Sequence, residues 1–429
     1  MKRFDDLSPA ALERASAPVE PVAGSRLLSL LFPPALALYA NFQGVQLILV
    51  PVQVEAIDPG QKISNLALLT VLCAVSGVAG LMAGGAMSDA TRTRWGRRAP
   101  WLAAMAAASA VLAAALGFQK HLPMLAALYA ALWFTLNFFQ GAMLAVVPDR
   151  VPADRRSLAS SIMGVAGPLG ALAGVNLAAW ATGETGYAAL AAMLVATTAA
   201  FVLFAPEPAA PGAARPGGGG APLHRLGIDA ILRSLNGFGS RDFTVAFVLR
   251  VLMFVAQFSI NNYLLYILQD HIGVAHLPAQ SAQIAAGAVS SLRTLVTVLT
   301  VLVAGWFANR TERRKLFVQI YSAVMAAAMI VPTISATWLG MLLFAALGGL
   351  AMGAYSAIDL ALMSHVLPNK DAAGRDLAVL VMAGAAAQFL APLIGGGVIK
   401  LLGYDALFVF GAIGTLGVGA ATLFLRGVR

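Results

Sequence analysis

The sequence predicts an all-α membrane protein, with about twelve transmembrane helices in two pseudo-symmetric bundles of six. Three observations carry that expectation: the composition, the recurrence of long apolar runs, and the placement of the basic residues. Of the 429 residues, 59% are hydrophobic and 11% are charged, against about 25% charged in an ordinary soluble domain. The mean hydropathy is +0.81. This excludes a soluble enzyme, a disordered chain and a disulfide-stapled secreted protein. A single cysteine, Cys73, leaves no internal disulfide and no thiolate metal cluster. It lies in an apolar run and reads as a packing residue.

A helix of about 20 apolar residues can cross a bilayer because it satisfies its own backbone hydrogen bonds where water is missing. Such runs are expected at 27–54, 65–88, 99–118, 122–147, 158–181, 187–205, 243–270, 282–307, 316–335, 338–366, 377–402 and 405–426. Residues 1–26 lack the short apolar core of a removable signal, so they read as a cytoplasmic tail. Lys and Arg in the short loops then set the orientation. With both termini inside, 23 of the 28 basic residues fall on the cytoplasmic face. Lys62, Lys120 and Lys400 fall outside, and Arg250 and Arg293 lie within spans. The net charge of +9 is therefore a topology signal, not a nucleic-acid surface. A multi-pass protein of the inner or plasma membrane is expected.

One long connection interrupts the pattern. The run PEPAAPGAARPGGGGAP opens a stretch, 206–241, too rich in Pro and Gly to pack a core, and it reads as a flexible cytoplasmic linker. It divides the chain into a six-helix bundle at 27–205 and a second at 242–429. Features recur between the two at one offset. GAMSDATRTRWGRR, with Gly85, Asp89, Gly96, Arg97 and Arg98, is echoed by GWFANRTERRK, in which Asn309 stands 220 positions after Asp89. RRSLA and GRDLA follow the fourth and tenth spans, with Arg156 and Arg375 219 positions apart. Asn41 and Asn261 are again separated by 220.

With these motifs the chain resembles the major facilitator superfamily over essentially its whole length. SDATRTRWGRRAPW, and GVQLILVPVQ at Gly44 to Gln53, are similar to the glycoside-pentoside-hexuronide and sucrose symporter branch. The second copy of the loop departs from the pattern, with Asn309 in place of the acid and Glu312 near the expected glycine. The resemblance implies alternating access by a monomer, with helices 1, 4, 7 and 10 around a central cavity. It also implies a cytoplasmic gate in which Asp89, with Arg97, Arg98, Arg156 and Arg375, faces the positive N-terminus of helix 11 when the transporter is open outward.

Polar groups inside spans are costly and mark a cavity or a helix contact. Trp133, Asn137 and Gln140 fall at i, i+4 and i+7, as do Tyr39, Gln43 and Gln46. The seventh span offers Gln257, Asn261, Asn262 and Tyr266, and the tenth Tyr355 with Asp359. Amides and phenols beside an aromatic ring suit a neutral, hydroxyl-rich ligand such as a sugar or glycoside. Packing glue between helices is the plainer reading of each amide, and Asn41, which breaks its stripe, reads as packing. Arg250 reads as structural, near enough to the cytoplasm to snorkel.

Arg293, near mid-span, needs an anionic or strongly accepting partner, either Asp359 or the substrate. Asp359 is the carboxylate clearly inside a span and the candidate for proton coupling. The second and fourth spans lack acids, which argues against sodium coupling of the melibiose type. Glu55 and Asp270, at outer helix ends, fit an outer gate or plain solvation. His121, His224, His271, His276 and His365 show no metal spacing, and no catalytic constellation or cofactor motif is present.

The expected partners are thus a small-molecule substrate, the bilayer and the proton. An exporter of drug-like or natural-product molecules, favoured by Phe134, Phe138 and Phe139, is the alternative within transport. A non-transporting assembly or pigment-delivery factor is the alternative outside it. The polar stripes argue against the last.

Overall fold

The computed structural model describes residues 21–181, 183–207, 241–308, 314–365 and 373–421. Within them the chain forms twelve long helices, with short helical turns between some of them. Helix α1 runs over Pro21–Gly44, passes through a π-helical stretch at Val45–Leu49 and continues over Val50–Ile57. It is followed by α2 (Lys62–Ala90), α3 (Ala99–Gly117), α4 (Leu122–Leu144), α5 (Arg156–Trp180) and α6 (Glu184–Phe204). The later helices are α7 (Arg241–Asn262, then Leu264–Tyr266 and a π-helical stretch at Ile267–Gly273), α8 (Ala282–Ala308), α9 (Arg314–Ile334) and α10 (Trp338–His365). The last helical run, Ala373–Ala421, turns at Gly403, whose φ of 86° breaks it into α11 (373–402) and α12 (404–421). Ten stretches are long and apolar enough to span a bilayer, the last of them containing both α11 and α12, and a shorter apolar helix covers Val318–Ile334.

Most expected ends move by one to three residues, and three changes matter most. The first helix begins at Pro21 instead of 27, the seventh extends to Gly273, and the last two run together up to the Gly403 joint. The 1–20 and 208–240 stretches lie outside the described residues, as do Asn309, Arg310 and Arg313 of the second basic loop.

Helices approach closely where side chains are missing, as association in lipid requires. Three pairs of glycines spaced four apart, and so on one helix face, do this. Gly80 and Gly84 of α2 meet the carbonyls of Phe134 and Phe138 on α4. Gly170 and Gly174 of α5 meet those of Leu36 and Ala40 on α1. Gly349 and Gly353 of α10 meet the backbone of Arg293 and Thr297 on α8. The α1–α5 contact has its counterpart in α7–α11, where Gly395 packs against Ser259 and the Ser259 hydroxyl donates to Ala391 O at 3.0 Å.

The first six helices meet the last six along two seams. At α5–α8, Asn176 Nδ2 donates to Ser291 Oγ at 2.8 Å and Gly287 sits against Asn176. At α2–α11, Gly396 lies close to Ala67. An even number of spans leaves both described chain ends at one end of the bundle, the termini end, with the α1–α2 and α7–α8 connections at the opposite, far end.

Candidate functional site

The middle of the bundle carries the polar stripes. Gln46, Cys73, Trp133, Asn262 and Arg293 each lie about eleven residues from the far end of their helices, about 16 Å at 1.5 Å per residue. Between α1, α2, α4 and α11 there is a narrow cleft lined by Gln46, Thr70, Cys73, Ala74, Tyr129, Trp133 and Gln388. Its aromatic wall is a chain of edge-on rings: Phe42 packs on Trp133 at 5.0 Å and Tyr129 on Trp133 at 5.2 Å, with Tyr39 next to Phe42 at 6.3 Å.

The expected residues divide into bonded and unbonded groups. Gln46 Nε2 donates to Asn262 Oδ1 at 3.0 Å, a link from α1 to α7 at mid-depth. Gln140 Nε2 reaches the Tyr39 hydroxyl at 3.4 Å. Asn137 donates to its own helix at Trp133 O, 2.8 Å, and packs beneath Gly77. Tyr266 is fully buried, with its hydroxyl donating to Pro51 O at 2.8 Å, so it braces α7 against α1. Tyr355 is buried with its ring 5.0 Å from Tyr321. Asn41, as expected, packs: it donates to Ala37 O and Leu190 O, both at 2.9 Å. Arg250 lies over the Phe254 ring.

Gln43, Gln257, Asn261, Gln388 and Arg293, by contrast, form no side-chain hydrogen bond or ion pair among the described residues. The side chains of Asp359 and Arg375 lie outside the described residues.

The far end is tied across the two sets of helices by charge. Lys62 Nζ bonds Glu55 Oε1 at 2.7 Å and Asp270 Oδ1 at 2.9 Å, and sits 4.8 Å from the centre of the Tyr266 ring. Tyr404 Oη donates to Asp270 Oδ2 at 2.6 Å, and Lys400 reaches Gln61 Oε1 at 3.4 Å. Beside them, His271 lies 3.6 Å from Asp405. The Lys62 side chain is only 13% exposed, so these pairs are less screened than surface ones. Lys62, Tyr404 and Lys400 were legible only as outer charges or not at all, because their partners come from distant helices.

The termini end is built differently. Arg98, with 3% of its side chain exposed, bonds Asp149 Oδ2 through Nη2 and Nε at 2.7 and 2.9 Å, and also bonds Asp89 and Ser88. Arg97 lies 3.5 Å from the Asp89 carboxylate and donates to Asp89 O at 2.8 Å. Glu207 Oε2 accepts the backbone N–H groups of Arg98 and Ala99 at 2.8 and 3.1 Å, capping the start of α3. Arg156 binds the carbonyls of Pro148 and Val151. All these partners belong to the first six helices and their connections. Asp89 itself is 61% exposed. The sequence marked Asp89 and Arg98 but not Asp149 or Glu207, which lie 51 and 109 positions from Arg98.

No group of three metal-ligating side chains occurs among the described residues.

The family model of the Major Facilitator Superfamily matches residues 31–290 and 246–429. No curated protein matches the chain. Among solved structures, the nucleoside transporter NupG is similar with a TM-score of 0.70 and 12% identity, covering 95% of this chain and 100% of that one. A POT family transporter in complex with 5-aminolevulinic acid has a TM-score of 0.68 and 14% identity, over 92% and 95%. A bacterial homolog of the human lysosomal transporter Spinster, in an inward-facing and unoccupied conformation, has a TM-score of 0.63 and 13% identity, over 95% of each.

Proposed function

The chain belongs to the Major Facilitator Superfamily, and we propose that it is a secondary transporter of a small polar organic solute, a sugar, glycoside or similar compound, moved together with protons. It is a multi-pass membrane transporter and not an enzyme. In this reading the bundles 27–205 and 242–429, joined by the 206–241 linker, rock about a site at mid-depth. Both termini face the cytoplasm of the inner or plasma membrane, where the basic loops belong.

The observation that carries the proposal is the contrast between the ends. Lys62 binds acids from both sets of helices at the far end, whereas among the described residues the Asp89 cluster at the termini end binds its own set. That contrast supports a rocker closed outside and open inside. The substrate would meet Gln43, Gln388, Gln257 and Asn261, whose amides are available, with Trp133 covering an apolar ring face. Asp359, from within the tenth span, would carry the proton. The aromatic wall of Phe42, Tyr129 and Trp133 also favours a second reading, export of drug-like molecules.

Counterflow in proteoliposomes tests the proposal, with sugars, organic acids and hydrophobic drugs offered with and without pH and sodium gradients. Polar solutes are expected to exchange and to accumulate with an inward proton gradient. Asp359→Asn is expected to abolish accumulation while leaving exchange. Counterflow of drugs alone would replace this reading with the second.

A further inference from the structure

We infer that the transported solute is an organic anion, held through a carboxylate by Arg293. The inference rests on the transport reading above and, among its small polar solutes, puts an acid in place of the neutral sugar or glycoside.

Four observations place the guanidinium at the central cavity. At 100° per residue, the exposed large apolar side chains of α8, Leu295, Val298, Leu299, Leu302 and Val303, fall about 140–280° around the helix from Arg293. Arg293 therefore faces the protein interior. Its depth matches that of Gln46, Trp133 and Asn262. It stands 220 positions after Cys73, the offset that relates Asp89 to Asn309, and Cys73 lines the cleft. Finally, Arg293 is half-buried with no hydrogen bond or ion pair to its side chain among the described residues.

The last observation decides the chemistry. A cation removed from bulk water is costly unless an anion and directed hydrogen bonds offset the loss of solvation. A neutral sugar supplies hydrogen bonds but leaves the charge uncompensated. A carboxylate supplies both, in the two-pronged geometry that a guanidinium matches.

The two sets of helices also differ in what they offer. At this depth the first set carries bulk, with Tyr129 and Trp133 on α4 and small Cys73 on α2. The second carries Gly349 and Gly353 on α10 and Arg293 on α8, the reverse. The pairing suits a solute with one flat apolar or ring face against Trp133 and a negative group on the opposite side, with Gln43, Gln388 and Asn261 left for hydroxyls. With Asp359 delivering a proton, a monoanion would cross without net charge.

The test uses the full-length protein in proteoliposomes and matched pairs of solutes: glucuronate and glucose, quinate and inositol, nicotinate and nicotinamide. Counterflow by the wild type is expected for carboxylates and not for their neutral partners. Arg293→Gln is expected to lower apparent affinity for the carboxylate by at least about 30-fold, and Arg293→Lys to restore part of it. The double variant Arg293→Gln with Asp359→Asn is expected to stay as weak as Arg293→Gln alone. Recovery of carboxylate transport in the double variant would show a static ion pair and overturn the inference. So would exchange of neutral solutes that Arg293→Gln leaves unchanged, although the transport reading would then stand. No counterflow of any pair by folded wild-type protein would overturn both.

Discussion

The two ends of this bundle both concentrate charge, and they use it for opposite purposes. At the far end one lysine, Lys62, is shared between Glu55 of α1 and Asp270 of α7, so its bonds exist only while the two sets of helices touch. At the termini end one arginine, Arg98, is shared between Asp89 and Asp149, which move with it. The first is a latch and the second a brace. A latch must be weak enough to release, and partly exposed pairs worth about 1 kcal/mol each meet that need. A brace must survive the cycle, and Arg98 is accordingly buried, with its backbone and that of Ala99 held by Glu207.

The comparison can be broken most severely at Arg98. Arg98→Ala removes the bonds to Asp89, Asp149 and Ser88 together and is expected to cost about 2–3 kcal/mol of stability, read as a clear loss of thermal stability in detergent. Lys62→Met should instead leave stability nearly unchanged and release the far end. A shift of about 1–2 kcal/mol corresponds to about a 5–30-fold rise in far-side labelling by an impermeant maleimide, measured at Ala67→Cys in a Cys73→Ala background.

Asp89→Asn sharpens the contrast. The carboxylate is mostly exposed here, so the variant should lose less than about 1 kcal/mol of stability. Under the proposed gate, in which Asp89 meets a partner across the bundle when the termini end closes, it should nevertheless transport poorly. Full transport by Asp89→Asn would remove the gate. The smallest effect is expected for Tyr404→Phe, which removes one hydrogen bond to an exposed carboxylate and should raise far-side labelling by about twofold.

What could be read from the chain follows the range of the interaction. Spans were legible because each satisfies its backbone within about 20 contiguous residues. The joint at Gly403 falls in the gap expected between 402 and 405 for the same reason, since a residue with positive φ ends a helix locally. The π-helical stretches at Val45–Leu49 and Ile267–Gly273 left no local mark. Gln46 and Asn262 were both identified as candidates, yet nothing in either stripe says that they bind each other. Gln388 was missed because it stands alone on its helix, without a polar neighbour one turn away. Asp149 and Glu207 were missed because a carboxylate near a loop is ordinary until the fold brings an arginine to it. Tyr266, a substrate candidate by its spacing from Asn262, donates its hydroxyl to Pro51 O instead.

The central claim is that the ends open in alternation, with the far end latched in the resting protein. Double electron–electron resonance measures it directly, with one pair of spin labels at Gln61 and Lys400 on the far end and another at Thr91 and Met382 toward the termini end. The account predicts a short, narrow far-end distance in the resting protein. It also predicts that Lys62→Met lengthens that distance while shortening the one at the termini end. A long far-end distance at rest, or two distances that lengthen together, would contradict it.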